Sequence, residues 1–252
     1  MCTVIILRRP GHEWPLLLAA NRDEMAGRPW DPPGRHWPDR DNVVAGIDKL
    51  AGGTWMGVND EGVVAAILNR KDSLGPDEML RTRGEIVLEA LDHADAADAA
   101  EALSELDGRS YRSFNLVVAD NRDAFWVRSM GEVAGGRIDV AEIPVGISML
   151  TAFDLNDPVS GRVAFHLPRF EAATAPDIAA GDWSSWQALL ASTEHGSNTD
   201  SRDAMRIVTD FGFGTLSSSL IALPSVDFPD RKPVWQFASG APGETAFGPV
   251  EL

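Results

Sequence analysis

Apolar and polar residues alternate along this chain in short blocks of two kinds. Compact β-branched or aliphatic runs bounded by turn residues predict strands. They fall at Thr3 to Leu7, Leu16 to Ala20, Val43 to Gly46, Thr54 to Val58, Val63 to Leu68, Phe114 to Ala119 and Ala124 to Val127. One or two more lie within Arg137 to Met149, and the last are Thr215 to Leu223 and Val234 to Phe237. Other blocks repeat their apolar residues with the helical period. Ile86, Val87, Ala90, Leu91 and Ala94 share one stripe, as do Ala99, Ala102, Leu103 and Leu106, with Asp98 and Glu101 at capping-box spacing. Val159 to Ala173 reads as a helix broken near Pro168. Asp182 suits the N-cap of a helix burying Trp183, Trp186, Leu189 and Leu190, and Ser201 that of one burying Met205 and Val208.

Consecutive hairpins argue for antiparallel sheets, and segregated helices for a layered α+β fold. Two sheets face to face with helices outside would use every segment. Arg28 to Asp41, dense in proline and tryptophan, reads as an ordered loop. No linker or repeat divides the chain, so residues 1–252 are expected to form a single domain.

Composition narrows the function classes. Apolar content of 44% is that of an ordinary globular protein. A net charge of −16 argues against nucleic acid and anionic membranes, both of which select basic surfaces. No apolar run reaches membrane-spanning length, and Val4 to Leu7 is too short for a secretory signal, so a cytoplasmic location without membrane insertion is expected. The five histidines (His12, His36, His93, His166, His195) lack metal-ligand spacing. Gly212-Phe213-Gly214 lacks the third glycine of a dinucleotide fingerprint, and no Gly-x-Ser-x-Gly elbow occurs. Neither a metal nor a cofactor is therefore expected.

One feature remains. Cys2 is the sole cysteine and lies at the mouth of the first strand. A hairpin with the second strand returns Asn21-Arg22-Asp23-Glu24 to the end where Cys2 sits. Trimming of Met1 would leave Cys2 at the N-terminus. Its α-amine, with an ordinary pKa of roughly 7.7–8.0, then becomes a base beside its own thiol, so nucleophile and general base share one residue. The competing reading is a buried cysteine acting as a small hydrophobe. Pleat alternation puts Asn21 and Asp23 on one face and Arg22 and Glu24 on the other, so all four reach Cys2 only if the strand end bulges or turns.

Cys2, Asn21-Arg22-Asp23-Glu24, Gly53-Thr54-Trp55 with Gly57, Arg83-Gly84, Phe114-Asn115-Leu116 and Gly214-Thr215 together resemble the NRDE family, also called the transport-and-Golgi-organisation family. The resemblance is dense over the first 120 residues and thinner beyond. It implies an N-terminal nucleophile hydrolase-like fold, a four-layer αββα sandwich of two mostly antiparallel sheets. More distantly the chain is similar to choloylglycine hydrolases and penicillin V acylases. Asn59 and Gly62 match a turn in that group, and Asn69 falls where its oxyanion-binding asparagine belongs, although spacing alone would make Asn69 a turn residue.

The resemblance implies cleavage of a small-molecule, non-peptide amide, or acyl transfer, through a thioester at Cys2. Asn69 would stabilise the oxyanion, Arg22 would lower the thiol pKa or clamp a carboxylate, and Asp23 would orient the amine. A surface ion pair is the competing reading of Arg22 and Asp23. Asn21 joins the substrate-binding candidates with Trp30, Trp37 and Trp55, which flank the mouth in sequence, although core packing accounts for most of the eight tryptophans. The alternative is a non-catalytic cleft carrying haem or an acyl or lipid ligand. Two departures stand out: Met149 follows Ser148 where the family commonly has asparagine, and Leu216 follows Gly214-Thr215 where it commonly has arginine. Nor does the sequence identify the late arginine of the amidohydrolase relatives.

Overall fold

The computed structural model describes every residue except Met1, Leu74, Pro76, Glu78 and Asn198. The chain opens with β1 (Thr3–Arg8) and β2 (Leu16–Met25), a hairpin in which Thr3 pairs with Asn21 and Leu7 with Leu17. Strand β2 continues through Asn21 to Glu24, so the polar tetrapeptide is part of the sheet.

A second unit follows. It comprises β3 (Trp30–Gly34), β4 (Val43–Asp48), β5 (Met56–Asn59), β6 (Val64–Asn69), helices α1 (Gly84–Ala90) and α2 (Ala96–Ser104), then β7 (Phe114–Ala119), β8 (Ala124–Ser129) and β9 (Ile138–Glu142). Its strands lie in sequence order, each antiparallel to the next. Val63, Ala65, Phe114, Leu116 and Val118 cover one face and pack on Ile86, Val87 and Ala90 of α1 and Ala99 and Leu103 of α2.

The chain then returns to the first sheet with β10 (Gly146–Leu150), α3 (Gly161–Ala172), α4 (Ser184–Leu190), β11 (Phe213–Leu223), β12 (Val234–Ala238) and β13 (Gly248–Pro249). Strand order there is β10-β1-β2-β11-β12-β13. Ile5, Leu7, Leu17, Ala19, Met149 and Leu220 form the face that packs on Val163 and Phe170 of α3 and Trp186 and Leu190 of α4. Contacts divide the chain into two compact units, Met1–Gly27 with Pro144–Val250 and Arg28–Ile143 with Glu251–Leu252. Among the described residues no helix is long and apolar enough to cross a membrane.

The expected α+β arrangement of antiparallel sheets and separate helices is present, with local differences. The proline-rich loop holds β3, an edge strand whose register slips between Asp31 and Gly34, and an edge is where Pro32 and Pro33 can be tolerated. Helix α2 begins before Asp98: Asp95 caps it, accepting the Asp98 N–H at 2.8 Å. Helix α3 runs through Pro168 unbroken. Ala164, whose carbonyl loses its partner to the proline, is exposed, so water can satisfy it. The helix expected from Ser201 is a single 3-10 turn, Ser201–Asp203. The chain then follows an irregular path beside β11, with Thr215 N–H donating to the Ile207 carbonyl at 3.1 Å, which buries Met205 and leaves Val208 exposed.

Candidate functional site

Pairing sorts the residues around Cys2 onto two faces of the first sheet. Thr3 lies opposite Asn21, so extending the register by one residue places Cys2 opposite Arg22. Thr3, Asn21 and Asp23 share the face of Ile5 and Leu17, the side packed on the helices. Cys2 and Arg22 share the other. Sequence parity separates Arg22 from Asp23 in the same way; the β1–β2 register is regular, and a bulge lies instead in the neighbouring strand. Thr215 pairs with Asp23 and Ser217 with Arg22, so Leu216 is the extra residue of β11. Because of it, Thr215 and Ser218, three residues apart, both point to the helical side.

There Asp23 is held from two directions. Thr215 Oγ1 donates to Oδ1 at 2.6 Å, and Arg162 Nη1 donates to Oδ2 at 3.0 Å. The Arg162 and Asp23 side chains are 1% and 0% exposed, so this is a fully buried ion pair. Arg162 also donates to Thr3 Oγ1 and, through Nη2, to the Arg202 carbonyl at 2.7 Å. Thr215 Oγ1 in turn accepts the Ile207 N–H at 2.9 Å. Alongside, Asn21 donates to the carbonyls of Leu190 and Met205 and accepts from the Ser218 hydroxyl at 2.6 Å.

The Cys2 thiol is half-buried and points at the Asp23 carbonyl, 3.9 Å away. Burial pushes its pKa up, the Asp23 carboxylate adds to that, and Arg22 works against it. At rest the sulfur therefore favours the thiol, and attack needs a base to take its proton as the new bond forms.

The remaining candidates lie in the second unit. Asn69 ends β6 opposite Phe114, on the face that packs α1 and α2, whereas Leu68 and Asn115 share the reverse face. Trp30 and Trp55 meet edge to face, with ring centres 5.7 Å apart, and an added Cβ at Gly46 would collide with the Trp55 ring. Trp37 packs instead against the helix-side core. The three tryptophans are thus split between two local environments. Asn59 supports its turn, donating to the carbonyls of Leu91 and His93 and accepting from Val63 N–H. In the first unit, Asn156 adopts φ 58°. It reaches back to accept the Met149 N–H at 2.7 Å and to donate to Ser148 Oγ at 3.2 Å. An asparagine thus stands beside Ser148 although the next residue is Met149.

Arg162 was not foreseen. Its signal was present: Arg162, Val163, His166 and Phe170 form the buried stripe of α3, and a charge on such a stripe requires a partner. Nothing local names Asp23 as that partner.

A family profile, Transport and Golgi organisation 2, matches residues 1–174. The chain belongs to that family. Its curated relatives include the human Transport and Golgi organization protein 2 homolog, 36% identical over 110 residues, and the mouse homolog, 34% identical over 109. Each match covers 42% of this chain and 38% of the relative, so it spans well under half of their length. Among solved structures, the Caenorhabditis elegans orthologue of N-acylethanolamine-hydrolyzing acid amidase superposes over 92% of this chain and 98% of its own, with TM-score 0.57 at 14% identity. Penicillin V acylase from Agrobacterium tumefaciens gives TM-score 0.51 at 14% identity over 94% of this chain and 83% of its own. The C2A mutant of conjugated bile acid hydrolase from Clostridium perfringens gives TM-score 0.55 at 12% identity, over 100% and 92% respectively. Identity this low bears on fold, and the fold of this family member is of the N-terminal nucleophile hydrolase type.

Proposed function

We propose that this member of the Transport and Golgi organisation 2 family is an N-terminal cysteine amidohydrolase or acyltransferase acting on a non-peptide amide of a small molecule. The observation that carries the reading is the half-buried Cys2 thiol at the start of β1, directed at the Asp23 carbonyl and opposite Arg22. The fold is shared with proteins named as an amidase, an acylase and a hydrolase.

Removal of Met1 exposes the Cys2 amine. That amine takes the thiol proton as sulfur bonds to the amide carbon, placing negative charge on the carbonyl oxygen. The resulting ammonium gives the proton to the leaving nitrogen, the C–N bond breaks and a thioester remains. Water, or a second nucleophile in acyl transfer, then releases the acyl group and regenerates the thiol. Arg22 favours the sulfur anion by its charge. Asp23 holds the ammonium form of the amine through its negative field. Asn21, bonded on the helix-packed face, supports the strand that carries Arg22 and Asp23.

Intact mass of the mature protein, followed by incubation of wild type and Cys2→Ala with an acyl-amide library, tests the reading. The expected result is loss of Met1 and an acyl adduct on the N-terminal peptide of wild type only. Retained Met1, or equal turnover by Cys2→Ala, overturns it.

A further inference from the structure

Neither the amide chemistry nor the packing of α3 accounts for a guanidinium buried beside the nucleophile strand. We propose that Arg162 is a positioning residue for Cys2: it ties the residue after the nucleophile to Asp23 and neutralises that carboxylate beneath the sulfur. The inference rests on the reading of Cys2 as a nucleophile.

The geometry is specific. One nitrogen, Nη1, donates both to Thr3 Oγ1, on the residue next to Cys2, and to Asp23 Oδ2. The other terminal nitrogen anchors the head group to the Arg202 carbonyl. Asp23 also supplies the carbonyl that the thiol faces. A single side chain from a helix thus grips both residues that define the position of the sulfur. Both carboxylate oxygens of Asp23 accept hydrogen bonds, and the field of this carboxylate opposes formation of the thiolate. Arg162 cancels part of that field. Well-packed apolar residues in place of both Arg162 and Asp23 would spare the chain the desolvation of two charges, and replacing such a pair is often neutral or stabilising in other proteins.

The groups around this arrangement are few. The thiol is faced by Asp23 and Arg22 of β2. The Asp23 carboxylate is faced by Arg162 of α3 and Thr215 of β11. His166 lies one turn along α3 and feels Arg162, while Arg202, whose carbonyl Arg162 holds, pairs through its own side chain with Asp200.

The test is the pH dependence of Cys2 alkylation by iodoacetamide, followed by intact mass, in wild type, R162K, R162M, D23N and D23N/R162M. With Arg162 removed, the Asp23 field is uncompensated, so the midpoint in R162M should rise by roughly half a pH unit or more. R162K should remain near wild type. D23N should fall below wild type, and D23N/R162M should lie close to D23N. An unshifted R162M, or a double variant displaced above D23N as far as R162M is above wild type, overturns the inference. If R162M does not fold, D23N below wild type with the double variant close to it supports the inference, and a double variant roughly half a pH unit or more above D23N overturns it. Alkylation reports on the thiol whether or not an amide is cleaved. Shifted midpoints without an adduct from the amide library would discard amide cleavage and keep the role of Arg162. An adduct with unshifted midpoints would discard the role of Arg162 alone.

Discussion

Both units bury polar side chains, yet they use them differently. In the seven-stranded unit several such groups serve turns and helix ends, although buried Asn115 accepts from the Arg70 and Trp126 side chains. Asn59 binds the carbonyls of Leu91 and His93 and the Val63 N–H, and Asp120 accepts from the N–H groups of Ala96, Arg122 and Asp123. These are turn and helix-end duties, which a fold needs in order to bury its chain reversals. In the six-stranded unit the groups bind one another across long sequence separations: Arg162 to Asp23, Thr215 to Asp23 and Ser218 to Asn21. A buried ion pair is not required to finish a strand, and desolvating it can outweigh the attraction it gains. Polar groups explained by local backbone therefore point to folding, while those without such an explanation, gathered beside Cys2, point to chemistry.

The sharpest way to break this contrast is to remove one charge of the buried pair. Arg162→Met strands the Asp23 carboxylate and should lower stability by about 3–5 kcal/mol, read from urea denaturation. Adding Asp23→Asn to it should restore much of the loss. A loss near zero for Arg162→Met would show that the pair is solvated and that the two units do not differ in this respect.

A second test uses His166, on the same helix. Burial pushes its pKa down to about 4, and the nearby cations of Arg162, Arg169 and His195 add to the effect against the Glu194 carbonyl. The folded pKa lies below the ordinary value of 6.5, so in the interval between them the unfolded chain binds the extra proton. This contribution leaves stability unaffected above pH 6.5, erodes it as pH falls from 6.5 to about 4, and levels off below. The slope should approach about 1.4 kcal/mol per pH unit within that window, and His166→Gln should flatten it.

The smallest expected effect belongs to the second unit. Asn59→Ala leaves the buried Val63 N–H without its side-chain partner and should cost about 1–3 kcal/mol in thermal or urea unfolding. It should leave the alkylation profile of Cys2 unchanged. A changed profile would sharpen the comparison by showing that turn construction in one unit is felt at the nucleophile in the other.

Much of the strand framework was legible because it is local. The β1–β2 hairpin, the hairpin turn after Asn59 and the β7–β8 pair each follow from alternation interrupted by turn residues. Errors arose where a local rule met tertiary context. Pro168 suggested a break, but its solvent-facing position let α3 continue. Residues after Ser201 carry a helical apolar pattern, but bonds between Ile207 and Thr215 of β11 hold them in an irregular path. The stretch from Arg137 to Met149 was read as strand, and its two strands join different sheets. At the site, parity separated Arg22 from Asp23, but no sequence rule located the bulge at Leu216 in a strand nearly two hundred residues away.

By itself, the amino-acid order determined the α+β class and the hairpin that brings a cysteine to a polar strand end. These depend on periodicity and on chemical type, which neighbouring residues express without help. Only the tertiary structure decided that Asp23 is held by Arg162, 139 residues away, and that Asn21 shares its face with Ser218 of β11, 197 residues away. It also decided that Asn69 lies on the helical face of its own sheet. Partners so distant are chosen when strands and helices pack, because an unpaired buried charge is too costly to keep, and no local pattern records which charge will arrive to meet it.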